Sequence, residues 1–465
     1  MKINNFFKQK KVVLTLAIIL GIIGVGVYIG LTINRQSSST INNCQAIQQN
    51  TDYFVISVSL EGKKSEATSL AEIRQMRQDI LKLDTNARVS WAMNNDYVFY
   101  EDNRPQLELI REFVDKYGDE VSLFYGFPNN KEDEHSWQAK VDEWIRMYSY
   151  NSFPKDYDGQ ATAKALFEKL PDKYRPKSVT SYLINPKQSE YLRTAYGINV
   201  AMANTATQYK VDQLSAVGSP LMPYYSHKNN SLVPAQEYSS KESTLMLNTM
   251  TIDPIGSRYL EGESRWTIHP ADPLTNGESQ IYIISEYLNN PYKSQNTVNY
   301  LSLIIEPNWV LRNKEIGNAW QNMVSYFENL HKFQVLGVKG FSELYDCTTS
   351  KIGYNPTFTM RFSGSGYTRA NHNSDSNLDY LWTETKTERI ILQKDNTSAY
   401  WKIIDFTDYN TQIPIMPFTT IGEDVSFISK REYKLKPNGE ISLDDINRIN
   451  KRLQGIGFWE KVKAE

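Results

Sequence analysis

Five acidic residues each follow an apolar, strand-like run. Glu61 follows 53–60, Asp96 follows 87–93, Asp253 follows 244–252, Glu306 follows 299–305 and Glu343 lies beyond 333–339. If those runs are parallel strands of one barrel, their C-terminal ends meet at a common rim and the acids converge there. Two carboxyl groups so placed can cleave a glycosidic bond, one protonating the leaving oxygen while the other acts as base or nucleophile. They could equally hold a divalent cation, and any one of them alone also reads as a helix N-cap or a solvated loop charge. Glu306 stands apart because its strand is strongly apolar and Trp309 follows closely, a ring suited to a sugar subsite. Asp253 and Glu306 are therefore the candidate acid pair, with Glu61 in support.

The histidines add little metal chemistry. His135, His227, His269, His331 and His372 include no H-x-x-H or H-x-x-x-H spacing, so a preformed pair on one helix is missing. No cofactor is expected, and a divalent metal has no histidine pair to support it. His227 and His269 lie in loops rich in proline and aromatic residues, Pro223-Tyr224-Tyr225-Ser226-His227 and Trp266-Thr267-Ile268-His269-Pro270. Rigid loops of this kind are shaped for binding. Tyr224, Tyr225, His227, His269 and Asp96 join Trp309 as candidate substrate contacts. There is no G-x-S-x-G, so nothing suggests a nucleophile elbow.

These residues need elements to position them, and the chain alternates strand and helix patterns. After the strand at 53–60, helical spacing of Leu70, Ile73, Met76, Ile80 and Leu83 marks a helix over 69–83. A strand at 87–93 precedes a helix over 105–117, opened by Pro105 and closed by Gly118. A strand at 120–126, a helix at 136–150, strands at 179–184 and 198–203 around a helix at 187–196, and strands at 244–252, 299–305 and 333–339 continue the series. A helix at 313–330 separates the last two. Roughly seven or eight β-α units suggest an α/β fold, an irregular (β/α) barrel, rather than an open doubly wound sheet. The missing Gly-rich phosphate loop points the same way. Beyond Gly353 the pattern changes to short β runs at 357–362, 389–393, 400–406 and 432–435, closed by a helix at 443–453. The barrel is assigned to 53–352 and a C-terminal β-rich accessory domain to 353–465.

The N-terminus sets the expected location. Lys2, Lys8, Lys10 and Lys11 precede an uncharged apolar run at 12–33. As a helix at ~1.5 Å per residue it would span ~33 Å, enough to cross a bilayer core. The lysines then keep residues 1–11 in the cytoplasm and place the rest outside. A cleaved signal peptide is the alternative, though no A-x-A site follows the run. Residues 34–52 read as a polar stalk. The net charge of −2, with no basic cluster past the N-terminus, argues against nucleic acid as a partner. The membrane and an envelope polysaccharide are the expected partners. Cys44 and Cys347 lie far apart in the chain and are expected to be two separate thiols, although an oxidising exterior would permit a disulfide.

Four pieces of sequence carry a family resemblance: Tyr117-Gly118-Asp119-Glu120-Val121, Tyr174-Arg175-Pro176-Lys177-Ser178, the block from Gly218-Ser219-Pro220 through Pro223-Tyr224-Tyr225-Ser226 to Pro234-Ala235, and Asp405-Phe406-Thr407-Asp408-Tyr409. Together, over residues 53–409, they resemble an uncharacterised bacterial family related to the glycoside hydrolase/deacetylase superfamily, which includes polysaccharide deacetylases. The resemblance implies an irregular (β/α) barrel followed by a β-domain. Metal-dependent deacetylases of that superfamily use an aspartate pair after one strand and an H-x-x-x-H-type motif after the next. The corresponding positions here read Met93-Asn94-Asn95-Asp96 and Phe124-Tyr125-Gly126-Phe127, which offer one acid and no histidine. Carboxylate-based glycoside hydrolysis needs only two acids. The competing expectation is a glycan- or protein-binding barrel without catalysis.

Overall fold

The computed structural model describes residues 46–47, 51–60, 67–93, 96–124, 159–181, 184, 186–205, 220–228, 230–236, 243–249, 298–312, 314–330, 333–354, 358–363, 378–395 and 402–409. The sheet is built around β1 (Asp52–Ser59), whose residues are nearly all buried. The other sheet strands are β2 (Ser90–Met93), β3 (Glu120–Phe124), β4 (Ser178–Thr180), β5 (Val200–Thr205), β8 (Leu245–Thr249) and β9 (Tyr300–Ile305). They run parallel in the order β9-β1-β2-β3-β4-β5-β8. The sheet curls, and at its two ends the side chains of β9 meet the backbone of β8: the Tyr300 hydroxyl donates to the Asn248 carbonyl at 3.3 Å, and the Ser302 hydroxyl donates to the same oxygen. A further strand, β10 (Phe333–Leu336), wedges against the first half of β1.

Side chains alternate along β1 as strand geometry requires. Phe54 faces outward and packs at a tilt against Phe333, which in turn meets Phe327 of α7 (Lys314–Leu330). Tyr53 faces inward, against Phe341. The helical layer begins with α1 (Leu70–Leu83), which has the capping box its sequence promises: Ser69 and Glu72 satisfy each other's backbone amides. Fully buried Asp79 accepts hydrogen bonds from Trp320 Nε1 at 3.0 Å and Gln321 Nε2 at 2.6 Å, fixing α1 to α7. After β2 come α2 (Asp96–Phe99) and α3 (Arg104–Tyr117), which ends at Gly118 with φ 72° as expected. Helix α4 (Gly159–Lys169) precedes β4, and α5 (Pro186–Tyr196) precedes β5.

Three expectations are corrected. The strand foreseen at 333–339 stops at Leu336, and α8 (Val338–Ile352) starts almost at once. Its cap is nonlocal: the Glu120 carboxylate accepts from the amides of Lys339 and Gly340, and Ser90 Oγ accepts from that of Val338. Glu343 therefore lies exposed on a helix and does not end a strand. The second correction concerns 220–236. Instead of a loop, β6 (Tyr224–His227) and β7 (Asn230–Pro234) form an antiparallel hairpin, and β6 adds antiparallel to β8. The third concerns the cysteines. Cys347 on α8 is disulfide-bonded, and Cys44 is the one other cysteine in the chain. The nearby Ile47 amide donates to Thr348 Oγ1 at 2.7 Å, so this part of the expected stalk is held against α8.

Helix α8 closes the end of the barrel where the strands begin. Phe341 packs on Tyr53 and Tyr300, and the Tyr345 hydroxyl donates to the Pro223 carbonyl at 2.8 Å. Beyond α8, β11 (Phe358–Ser363), β12 (Leu378–Glu384), β13 (Glu388–Asp395) and β14 (Lys402–Asp408) form an antiparallel meander. The strand at 432–435 and the helices at 136–150 and 443–453 lie outside the described residues. So does the run at 12–33, and no described helix is long and apolar enough to cross a membrane.

Candidate active site

The inner face of the sheet changes character along the strands. At the starting end it is aromatic, with Tyr53 and Tyr300 packed against Phe341 of α8. Higher up it carries small hydroxyls. Ser57 Oγ lies 2.6 Å from Thr180 Oγ1, which is 3.0 Å from Ser122 Oγ, so one fully buried chain of hydroxyls links β1, β3 and β4. Ser59, one pleat further along β1, is buried as well. Small polar side chains thus floor the rim at which the parallel strands end. The local sequence signal is a serine recurring at alternate positions within the apolar run of β1, Ser57 and Ser59.

Glu306 follows β9 directly at this rim and is partly exposed. Pro307 opens α6 (Pro307–Arg312) right after it, a position where proline costs no hydrogen bond. The Glu306 carbonyl accepts the first helical bond, from the Val310 amide at 3.0 Å. The other end of α6 is tied down by Arg312, which donates to Glu72 in the first turn of α1 at 2.6 Å and to the Ala67 carbonyl just before that helix at 2.8 Å. Burial alone would raise the Glu72 carboxyl; its bonds to Arg312 and Ser69 outweigh that and hold it below its ordinary value. The backbone that carries Glu306 is thus fixed at both ends.

The other candidates divide. The backbone of Asp96 opens α2 after β2, and that of Trp309 lies in α6, both on the rim side. The side chains of Asp96 and Trp309 lie outside the described residues, as do Glu61, Asp253 and His269 in full. Tyr224 and Tyr225 are core residues, 0% and 2% exposed, so no ring face is left to stack on a sugar. Tyr224 donates to the Ser231 carbonyl at 2.7 Å, and Tyr225 donates to Asp346 on α8. The antiparallel sense of β6 carries the hairpin away from the rim, toward the strand-starting end. His227 sits at the far end of β6, half-buried, where burial and then Lys228 lower its pKa. It lies toward the strand-starting end, whereas Glu306 follows the end of β9.

Two buried acids lie at the starting end. Buried Asp119 takes a bidentate pair of bonds from Arg77 at 2.8 and 2.9 Å and one from Trp91 Nε1 at 2.9 Å. Glu120 caps α8, and burial pushes its carboxyl above the ordinary value. With its acceptors committed to structure, neither faces the rim. Among the described residues no three His, Cys, Asp or Glu side chains converge as metal ligands. At the positions where the deacetylase pattern places its ligands, the sequence has Asp96 preceded by Asn94 and Asn95, and Tyr125-Gly126-Phe127 after the next strand. That donor set does not fit the metal site the superfamily resemblance implies.

A mixed α/β fold with a curled, half-barrel sheet of mainly parallel strands defines the general class. The chain matches the family described as a domain of unknown function with solved structure, DUF3863, over residues 39–384, and belongs to that family. Comparison with curated protein sequences gives no significant match. Among solved structures it is similar to a protein of Parabacteroides distasonis named as a candidate glycoside hydrolase/deacetylase. That likeness has a TM-score of 0.62 and 17% identity over 88% of this chain and 99% of the other. A candidate polysaccharide deacetylase of Mycobacterium smegmatis matches with a TM-score of 0.35 and 11% identity, over 67% of this chain and 96% of the other. The 4-alpha-glucanotransferase of Thermococcus litoralis matches with a TM-score of 0.33 and 12% identity, over 64% and 40%.

Proposed function

We propose that this protein acts on an extracytoplasmic polysaccharide by carboxylate-based glycoside hydrolysis at the C-terminal rim of its barrel. The observation that carries this reading is Glu306: partly exposed, at the end of β9, on a backbone fixed by Pro307 and Arg312 above a floor of hydroxyls. Asp253, which follows β8 in sequence, is the second carboxylate of the pair, with Glu61 in support and Trp309 and Asp96 contacting the sugar. The name carried by the Parabacteroides distasonis protein supports the substrate class. The disulfide at Cys347 supports an oxidising compartment. The apolar run at 12–33 supplies a membrane anchor whose cytoplasmic side is residues 1–11.

The test is release of new reducing ends from purified envelope polysaccharides. Glu306→Gln keeps the shape and removes the acid; the expected loss in kcat is about 10²–10⁴-fold. An unchanged rate on a true substrate would overturn the assignment. A second reading, a glycan-binding barrel without catalysis, is favoured by the donor set after β2 and β3, which no longer matches a metal-dependent enzyme of the superfamily. It predicts saturable glycan binding with neither reducing ends nor acetate released.

A further inference from the structure

Three segments of chain leave the sheet side by side at the end where Glu306 lies. Ile305, Val58 and Trp91 stand level across β9, β1 and β2. The segments that follow these strands therefore start together, the outer two about 10 Å apart at the usual strand spacing. Hydrogen bonds join them into one surface. Arg312 of α6 donates to the Ala67 carbonyl at 2.8 Å, and Gln106 of α3 donates to the Thr68 carbonyl at 3.4 Å. The segment after β2 is itself held in place. Tyr97 and Asn103 are buried, Lys169 donates to the Val98 carbonyl at 3.4 Å, and the Asn103 amide donates to the Tyr100 carbonyl at 3.1 Å.

Two features mark this surface. Among the described residues, the large apolar side chains left exposed are Tyr100, at 49%, and Leu70, at 38%. A single exposed tyrosine is ordinary, but both of these fall on the rim, Tyr100 after α2 and Leu70 at the start of α1. The second feature is polar. Each segment holds a buried side-chain oxygen without a hydrogen-bond partner: Asn308 Oδ1 after β9, Thr68 Oγ1 after β1, and Gln106 Oε1 in the first turn of α3. Thr68 is fully buried and Asn308, two residues past Glu306, is 4% exposed. A buried acceptor is costly until a donor reaches it, and hydroxyl groups are such donors.

We propose that these segments form a glycan subsite beside Glu306, in which one sugar ring stacks on Tyr100 and a hydroxyl of the sugar nearer the acid hydrogen-bonds the Asn308 carboxamide. The inference rests on the hydrolytic reading of the rim and deepens it by naming a binding surface and a substrate class. Stacking on an aromatic ring needs a flat C–H face. Pyranoses present one when their hydroxyls are equatorial, so the substrate is a polymer of glucose-configured pyranoses. Its chain crosses the rim from the β9 side to the β2 side.

The experiment is calorimetric titration of the detergent-solubilised full chain carrying Glu306→Gln, so that binding is read without turnover, with cellohexaose and with chitohexaose. At least one of them should bind. Adding Tyr100→Ala should weaken that binding about 2- to 10-fold, and Tyr100→Phe, which keeps the ring, should not. Adding Asn308→Ala should weaken it about 2- to 10-fold. Because Tyr100 is exposed, Tyr100→Ala should unfold at the same temperature as its parent. Unchanged affinity in Tyr100→Ala, or in a folded Asn308→Ala, overturns the subsite and leaves the hydrolytic reading standing. Should Asn308→Ala fail to fold, Tyr100→Ala decides alone. Failure of both sugars to bind also overturns the subsite, with its substrate class. The hydrolytic reading falls separately, on an unchanged rate of Glu306→Gln with envelope polysaccharide.

Discussion

The two ends of the barrel are built to opposite specifications. At the starting end, α8 plugs the opening with Phe341 and Tyr345, and the acids Asp119 and Glu120 are buried with their acceptors filled by Arg77, Trp91, Ser90 and backbone amides. At the other end, Glu306 is partly exposed just past β9, and buried serine and threonine hydroxyls link β1, β3 and β4. Asp119 and Glu120 are buried and hold structure together, whereas Glu306 keeps part of its surface in solvent at a strand end, where the proposed chemistry needs it. A substitution at one end should therefore change what the other leaves untouched.

The largest expected effect is on rate alone. Glu306→Gln should abolish turnover within the 10²–10⁴-fold range typical of a lost acid or base. Its thermal unfolding midpoint should match wild type; a large fall in stability would erase the distinction between the ends. Next is Asp119→Ala, which strands the Arg77 guanidinium in the interior, where each partner's side chain is at most 2% exposed. Breaking such a pair costs about 3–5 kcal/mol. Denaturant titration should show that loss, while the surviving folded protein keeps wild-type kcat. Smaller is Gly337→Ala, whose new Cβ would sit 2.6 Å from the Glu120 carboxyl carbon. Pushing the capping carboxylate aside should cost about 1–3 kcal/mol, again by denaturant titration. Smallest is Tyr224→Phe. It removes one buried bond to the Ser231 carbonyl and should cost about 1 kcal/mol. Glycan binding, read by calorimetry, should not change, whereas a tyrosine that stacked on substrate through its hydroxyl edge would show weaker binding.

Much of the barrel was legible because its signals are local. The Ser69–Glu72 capping box, Gly118 at the end of α3, Pro307 at the start of α6 and the apolar runs of β1 and β9 each act within a few residues. The misread regions depend on distant partners. Residues 337–339 read as the end of a strand because nothing nearby caps a helix there; the cap comes from Glu120 and Ser90. Tyr224 and Tyr225 read as binding residues because a Pro- and Tyr-rich loop looks exposed, yet pairing with β8 buries them. Of the candidate site, the sequence picked out the position of Glu306 at a strand end but not the hydroxyl floor beneath it, since Ser57, Ser122 and Thr180 become neighbours only once β1, β3 and β4 lie in one curled sheet.

By itself, then, the sequence determined the repeated β-α pattern, most helix ends and the place of Glu306 after an apolar strand, because periodicity and capping are properties of short stretches of chain. Which acids are buried and which partly exposed, which end of the barrel α8 covers, and that Cys347 is paired were decided by the tertiary structure. Each of those depends on groups brought together across tens to hundreds of residues, and burial and hydrogen bonding, not residue type, set what a carboxylate or a tyrosine can do.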